Sequence, residues 1–393
     1  MTSDPVVILS ARRTPVGAFQ GAFATVTAPQ LGAVAIKAAL ADSGLAASQI
    51  DEVIMGCVLA AGVGQAPARQ AAIGAGIPAS VPSTTVNKMC GSAMRAVMLA
   101  CDQILAGSAN VAVAGGLESM SNAPYLLPKA RTGYRMGNQE VLDHMFFDGL
   151  QSPWDGQLMG CFAEATSEKY SFTRKAQDDF AAESLRRALA AINGGAFAGE
   201  IAAVTSKTRK GEVLVEKDET PFTLDMAKIP TLKPAFKKDG TVTAASSSGI
   251  SDGAAALVLT RESFAASQGK KPLARILGYT SFAREPEWFT LAPVGAITKL
   301  LAQLNWQAKD VDLYEINEAF AAVPMAAMKD LGIEHEKVNV NGGACALGHP
   351  IGATGARIIT TLLYALQARG KKRGIASLCI GGGEATAIAI ELM

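Results

Sequence analysis

The sequence predicts an α/β protein made of two similar lobes, each with a mostly parallel, mixed sheet between helices, and a long loop-domain insertion between the lobes. Three observations predict it. Apolar strand-like runs alternate with helical patterns, and parallel strands need such crossovers and are apolar on both faces. Three segments recur in the same order in both halves of the chain. The stretch between the two copies has no counterpart in either and is rich in proline, glycine and charge.

Pro5 to Ser10 reads as a buried strand and is echoed by Pro272 to Leu277. Leu31 to Asp51 has apolar residues at helical spacing and runs into the strand Ile50 to Gly56; Ala292 to Asp312, running into Val311 to Asn317, repeats it. Val111 to Gly116 is a strand ending in glycines, and so is Ser377 to Gly382. Residues 1–120 therefore form one lobe and residues 272–393 the other. The insertion, residues 121–249, holds Pro124, Pro128, Gly133, Gly137, Pro153 and Gly156, an amphipathic helix from Thr173 to Asn193 and a charged strand-like stretch from Val204 to Glu216. Ala254 to Leu259 is expected to return as a strand of the first lobe, completing it with residues 250–271.

With 393 residues, 49% hydrophobic and 18% charged, the chain can bury a large core. A formal charge of +1 without a basic run excludes the electrostatic footprint of a nucleic-acid binder. Met1 to Ser10 does not read as a targeting segment, and no apolar stretch reaches the roughly 18 residues of a membrane span. A soluble, cytoplasmic protein is expected. The six cysteines lack Cys-x-x-Cys spacing and the three histidines complete no metal-ligand pattern, so free thiols and no metal are expected.

Four segments can carry chemistry. In Asn87-Lys88-Met89-Cys90-Gly91-Ser92 a β-prone stretch gives way to the helical pattern Ser92 to Leu105. Cys90 would stand at the helix start, where unpaired N–H groups pull a thiol below its free pKa of about 8.5 and make it a nucleophile. In Gly348-His349-Pro350, Pro350 holds His349 extended just before the helix Gly355 to Gln367, as a base or an electrophile. Cys379-Ile380-Gly381-Gly382-Gly383 ends a strand in glycines whose N–H groups can face a ligand oxygen. Asn317-Glu318-Ala319-Phe320 lies at a strand-to-helix junction, where, read alone, Asn317 is a cap and Glu318 a first-turn carboxylate. The dinucleotide, P-loop and serine-hydrolase signatures are absent, Gly62-Val63-Gly64-Gln65-Ala66-Pro67 being a near miss for the first.

Together these four ordered segments resemble the nucleophile, NEAF, GHP and CxGGG motifs of the thiolases, most closely those of the acetyl-CoA acetyltransferase kind, over the whole chain. The resemblance implies that Cys90 takes an acetyl group from acetyl-CoA and that His349 activates it, with Cys379 as the acid/base for the α-proton. Asn317 would orient a water that forms one oxyanion hole with His349, and the N–H groups of Cys90 and Gly381 would form the other. Pantetheine would pass Ser248, Phe236 and Met159, with Ala319 and Phe320 beneath the thioester. The implied reaction is the reversible condensation of two acetyl-CoA to acetoacetyl-CoA and CoA, without metal or other cofactor. The implied assembly is a dimer or a homotetramer, with the loop Asn122 to Gln139 as the tetramer contact.

Departures from the family pattern are Ala93 after the nucleophile segment, Leu158 for a histidine, serines at 246–248 and 251 for asparagines, and no basic residue between Asp218 and Ala227 to meet the adenine end of CoA. Leu158 keeps open a degradative 3-oxoacyl-CoA thiolase acting on longer chains; a non-catalytic acyl-CoA carrier is the remaining alternative. Glu384, following the glycine triplet, is expected to raise the Cys379 thiol if buried beside it.

Overall fold

The structure, a computed structural model, describes residues 4–208 and 211–393; Met1 to Ser3, and Arg209 and Lys210 of the expected Val204–Glu216 stretch, lie outside the described residues. The first half comprises β1 (Val6–Arg13), β2 (Gly17–Ala18), α1 (Ala28–Ser43), β3 (Glu52–Gly56), α2 (Pro67–Gly74), β4 (Ser83–Val86), α3 (Ser92–Ala106) and β5 (Val111–Ser119). Next come β6 (Tyr125–Leu126), β7 (Leu142–Asp143), α4 (Met159–Tyr170), α5 (Arg174–Asn193), β8 (Val204–Thr208) and β9 (Gly211–Val215). The chain continues through β10 (Ser251–Arg261), α6 (Glu262–Ser267), β11 (Ala274–Ala283), α7 (Ala292–Leu304), β12 (Leu313–Ile316), α8 (Ala322–Leu331), α9 (Ala344–Leu347), α10 (Thr354–Ala368), β13 (Arg373–Ile380) and β14 (Glu384–Leu392).

Local chemistry sets these boundaries. Thr27 and Gln30 form a reciprocal capping box at the start of α1, with Pro29 in its first turn. Thr173 Oγ1 accepts the Ala176 N–H at the start of α5. In the strands, side chains alternate between two apolar faces: Val7 and Leu9 of β1 enter one core cluster, Val6 and Ile8 another.

The main sheet runs β12-β13-β14-β11-β1-β10-β5-β3-β4, with β2 added to β10. Its two halves mirror each other about a short antiparallel seam in which Val7 faces Arg275 and Ile8 faces Ala274. The return strand β10 lies between β1 and β5, as expected of Ala254 to Leu259. The α/β class stands, but parallel pairing is confined to the outer ladders β12/β13, β5/β3 and β3/β4. The remaining ladders of that path are antiparallel, which corrects the expected mostly parallel sheets. The physical reason is that β10 and β14 insert beside β1 and β11 in the opposite direction, and a buried antiparallel strand is as continuously apolar as a parallel one.

Helices α3 and α10 pack on each other and on strands of both halves, through Met94, Val97, Ile104, Ile358, Leu362 and Leu366. Helices α1 and α2 cover the outer face of the first half, and α7 and α8 that of the second. The fold thus buries the N-termini of its two central helices at the junction, directly after the Cys90 and His349 segments. Gly116 in β5 supports both segments at close range: a Cβ there would lie 2.1 Å from the Gly352 oxygen and 2.7 Å from Ala93 Cβ. Gly116→Ala should therefore lower unfolding free energy by about 1–3 kcal/mol in equilibrium denaturation, the usual cost of overpacking against backbone. A variant as stable as the parent would show that the junction is looser than this packing.

Candidate active site at the junction of the halves

Cys90 sits between β4 and α3, in a turn tightened by a left-handed Met89 (φ +46). Ser92 Oγ accepts the Lys88 N–H at 2.8 Å and donates to the Met89 carbonyl at 2.6 Å, while Asn87 Oδ1 accepts the Met89 N–H at 2.9 Å. Gly91 lets this turn abut the other half: a Cβ there would stand 2.4 Å from Ile380 Cδ1 at the end of β13. The amides of Gly381 and of Cys90 itself face the Cys90 sulfur.

Burial nonetheless outweighs those amides and pushes the Cys90 thiol up to about 11. This corrects the expected depressed thiol: helix-start N–H groups are present, but the surroundings are too dry for them to prevail. The resting nucleophile is a neutral thiol.

His349 is buried, its N–H bonded to the Gly249 carbonyl at 3.1 Å and to Ser251 Oγ at 3.2 Å. Its Nδ1 lies 2.7 Å from Thr354 Oγ1, which is also 3.0 Å from the Pro350 carbonyl. A carbonyl can only accept, so the single hydroxyl hydrogen goes to Pro350 and Nδ1 donates to Thr354. The imidazole lone pair is then on Nε2, which has no hydrogen-bond partner among the described residues. Burial, assisted by the Arg357 charge, drives the imidazole down to about 3, so it is a neutral base.

Cys379 is fully buried near the end of β13, close enough to Cys90 for that thiol to add to the larger effect of burial in raising it. Glu384 does not act on it: its side chain is only partly buried and pairs with Lys88 across the two halves, so the burial on which the expected rise depended is not met. The isolated reading of Asn317 as a helix cap and Glu318 as a first-turn carboxylate is also corrected. Both lie before α8, not on its first turn, and both are buried. Glu318 accepts from Ser184 Oγ, Asn339 Nδ2 and the Cys345 amide, and Asn317 Oδ1 lies 3.5 Å from Arg357 Nη2.

A cavity of about 340 Å³ opens onto this junction. Of the expected site residues, Cys90, His349, Gly381, Met159, Phe236, Ser248, Ala319 and Phe320 line it; Cys379 and Asn317 are buried and do not. Phe236 and Phe320 meet edge to face at 5.9 Å, and Leu158, Ile250, Phe289 and Ile351 complete mostly apolar walls. Such a channel suits a narrow acyl thioester arm.

Sequence reasoning missed Glu118, Thr354 and Arg357. Glu118, the single charged residue of β5, is buried and accepts the N–H groups of Val58, Leu59 and Gly352 at 3.0, 3.1 and 2.8 Å. It ties the loop after β3 to the His349 loop, and burial raises it to about 7 against those amides. A lone carboxylate closing an apolar strand, and a lone arginine in the apolar α10, were the signals available. With a neutral thiol at rest, the rate of Cys90 alkylation by iodoacetamide should keep climbing with pH toward about 11. A plateau reached near neutrality would contradict this electrostatic balance.

Comparison with known proteins places this geometry in a family. The thiolase N-terminal domain model matches residues 6–263 and the C-terminal domain model residues 270–392. The chain is 50% identical over 390 residues to the acetyl-CoA acetyltransferase of Cupriavidus necator, covering 98% of this chain and 99% of that protein. It is 51% identical over 387 residues to that of Escherichia coli, covering 98% of each. The crystal structure of the Bacillus anthracis acetyl-CoA acetyltransferase superposes with a TM-score of 0.97 at 43% identity, over 99% of each chain. That of Acat5 thiolase from Ascaris suum in complex with coenzyme A gives 0.94 at 42%, over 99% of this chain and 100% of the other. The chain belongs to the thiolase family.

Proposed function

We propose that the protein is an acetyl-CoA C-acetyltransferase that condenses two acetyl-CoA to acetoacetyl-CoA and CoA, reversibly, through an acetyl-Cys90 intermediate. The observation that carries the reading is that Cys90, with Cys379 close behind it, and the unpartnered Nε2 of His349 converge from opposite halves on one apolar cavity. Relatives at about half identity carry the acetyl-CoA acetyltransferase name, so a preference for longer 3-oxoacyl chains is not favoured.

In the first half-reaction the Cys90 thiol gives its proton to His349 Nε2 as Sγ attacks the thioester carbonyl. CoA thiolate leaves, taking a proton from Cys379, and acetyl-Cys90 remains. The resulting Cys379 thiolate, which burial makes a strong base, removes an α-proton from the second acetyl-CoA. Asn317, through a water, and protonated His349 stabilise the enolate oxygen. The new C–C bond forms at the acetyl-Cys90 carbonyl, whose oxyanion is held by the amides of Cys90 and Gly381. Collapse expels the Cys90 thiolate, and His349 returns its proton. Met159, Phe236, Ser248, Ala319 and Phe320 are assigned to the pantetheine arm and thioester.

The loop domain is assigned to residues 121–249, with residues 250–271 completing the first of two lobes. A cytoplasmic homotetramer is the proposed working form; no helix among the described residues is long and apolar enough to cross a membrane. Tyr125, Leu127, Tyr134 and Met136, exposed around the Asn122–Gln139 loop, support that loop as the contact between dimers. Sedimentation should find no monomer at working concentration, and a monomer would overturn that assignment. Incubation with labelled acetyl-CoA and peptide mapping should place one acetyl group on Cys90 and none there in Cys90→Ser. Label elsewhere in intact protein would defeat the proposed chemistry.

A further inference from the structure

We propose that Arg357 is a positioning residue for this site: a buried guanidinium that fixes which way the Asn317 amide faces and sets a positive charge behind the His349 imidazole. The inference rests on the acyl-transfer reading above. Arg357 is the single charged residue of α10 and is 2% exposed. A charge there carries a desolvation penalty of several kcal/mol, and an apolar side chain would fill the space without it. Nor is it fully compensated: burial outweighs the favourable charges around it and lowers the guanidinium. Glu315, itself raised to about 8 by burial, is 3.7 Å from Nη1, and the buried Glu200 and Asp218 favour the charge while the buried Arg13 opposes it. Nε and Nη1 make no hydrogen bond among the described residues. A residue held on such terms is poorly explained by stability.

Its donor chemistry acts on Asn317. A guanidinium has no acceptor, so the amide atom 3.5 Å from Nη2 is Oδ1, and Nδ2 is turned away from the arginine. That Nδ2 has no hydrogen-bond partner among the described residues, and neither has His349 Nε2. A donor for the water assigned above and an acceptor lining the cavity are therefore left unpartnered, the donor because Arg357 occupies the other end of the amide. Its charge also favours the neutral imidazole. The other ionisable groups around His349 are the Cys90 and Cys379 thiols, both raised and so uncharged, and Glu118, which holds the Gly352 amide of the same loop. Glu315 and Glu318 lie on the Asn317 segment behind it.

Removing the cation must raise the imidazole pKa, so for a base that works unprotonated the loss of activity on acidification sets in at a higher pH. In full-length Arg357→Met, kcat for condensation should fall about 10²-fold, the scale of one lost oxyanion donor, with KM for acetyl-CoA nearly unchanged. The acid limb of its kcat/KM profile should move upward by about one pH unit. Arg357→Lys keeps the charge but not the planar fork, so kcat should fall while the acid limb stays in place. A folded Arg357→Met with wild-type kcat and an unmoved acid limb overturns the inference. If that variant does not fold, Arg357→Lys decides it, and wild-type kcat there overturns it equally. Acetylation of Cys90 is followed in the parent in parallel, so a failure of the acyl-transfer reading shows in the parent, and a failure of this inference only in the variants.

Discussion

Desolvation of the pocket where the two halves meet is the constraint on which the rest depends. The Cys379 thiol and the His349 imidazole are buried and the Cys90 thiol is half-buried beside them, and desolvation moves each toward its neutral form, Cys90 up to about 11 and His349 down to about 3. A resting thiolate–imidazolium pair is thereby disfavoured. Proton transfer becomes favourable only when the negative charge can pass to a substrate oxygen facing prepared donors, which are the amides of Gly381 and Cys90 on one side. The same desolvation that slows an isolated Cys90 makes Cys379, once deprotonated, basic enough for a weakly acidic C–H bond.

The scaffold maintains that dryness by bringing loops together at backbone contact distance. Gly116 and Gly91 leave no room for a side chain between the halves, and Glu118 clamps the loop after β3 to the His349 loop through three N–H bonds. Thr354 and Arg357, on the first turns of α10, determine which nitrogen of His349 and which end of the Asn317 amide are available. The repeat matters chemically because neither half alone holds both sulfurs.

Much of this was legible in the order of residues. The repeated helix–strand segments located the two halves, and the four short motifs named the residues that converge. Pairing direction was not legible, because β10 and β14 are as uniformly apolar as the parallel strands beside them. The direction of the Cys90 shift was misread because a local helix-start argument contains no measure of burial. Read alone, Asn317 looks like a cap and Glu318 like a first-turn carboxylate because helix-end and buried bonding use the same side chains, and only the packing of Ser184, Asn339 and Arg357 around them separates the two. Whether Glu384 would be buried beside Cys379 was not legible, because its salt-bridge partner, Lys88, lies in the other half.

The central claim is that two neighbouring sulfurs have separate tasks, acyl carriage at Cys90 in the cavity and α-proton transfer at the buried Cys379 behind it. Its most direct test is Cys379→Ala, with acetyl loading of Cys90 followed by mass spectrometry and acetoacetyl-CoA formation followed in the same samples. The account predicts that Cys90 still becomes acetylated while carbon–carbon bond formation falls by about 10³-fold, within the range for loss of a positioned acid/base. Acetoacetyl-CoA formed at the parent's rate by that variant would contradict it.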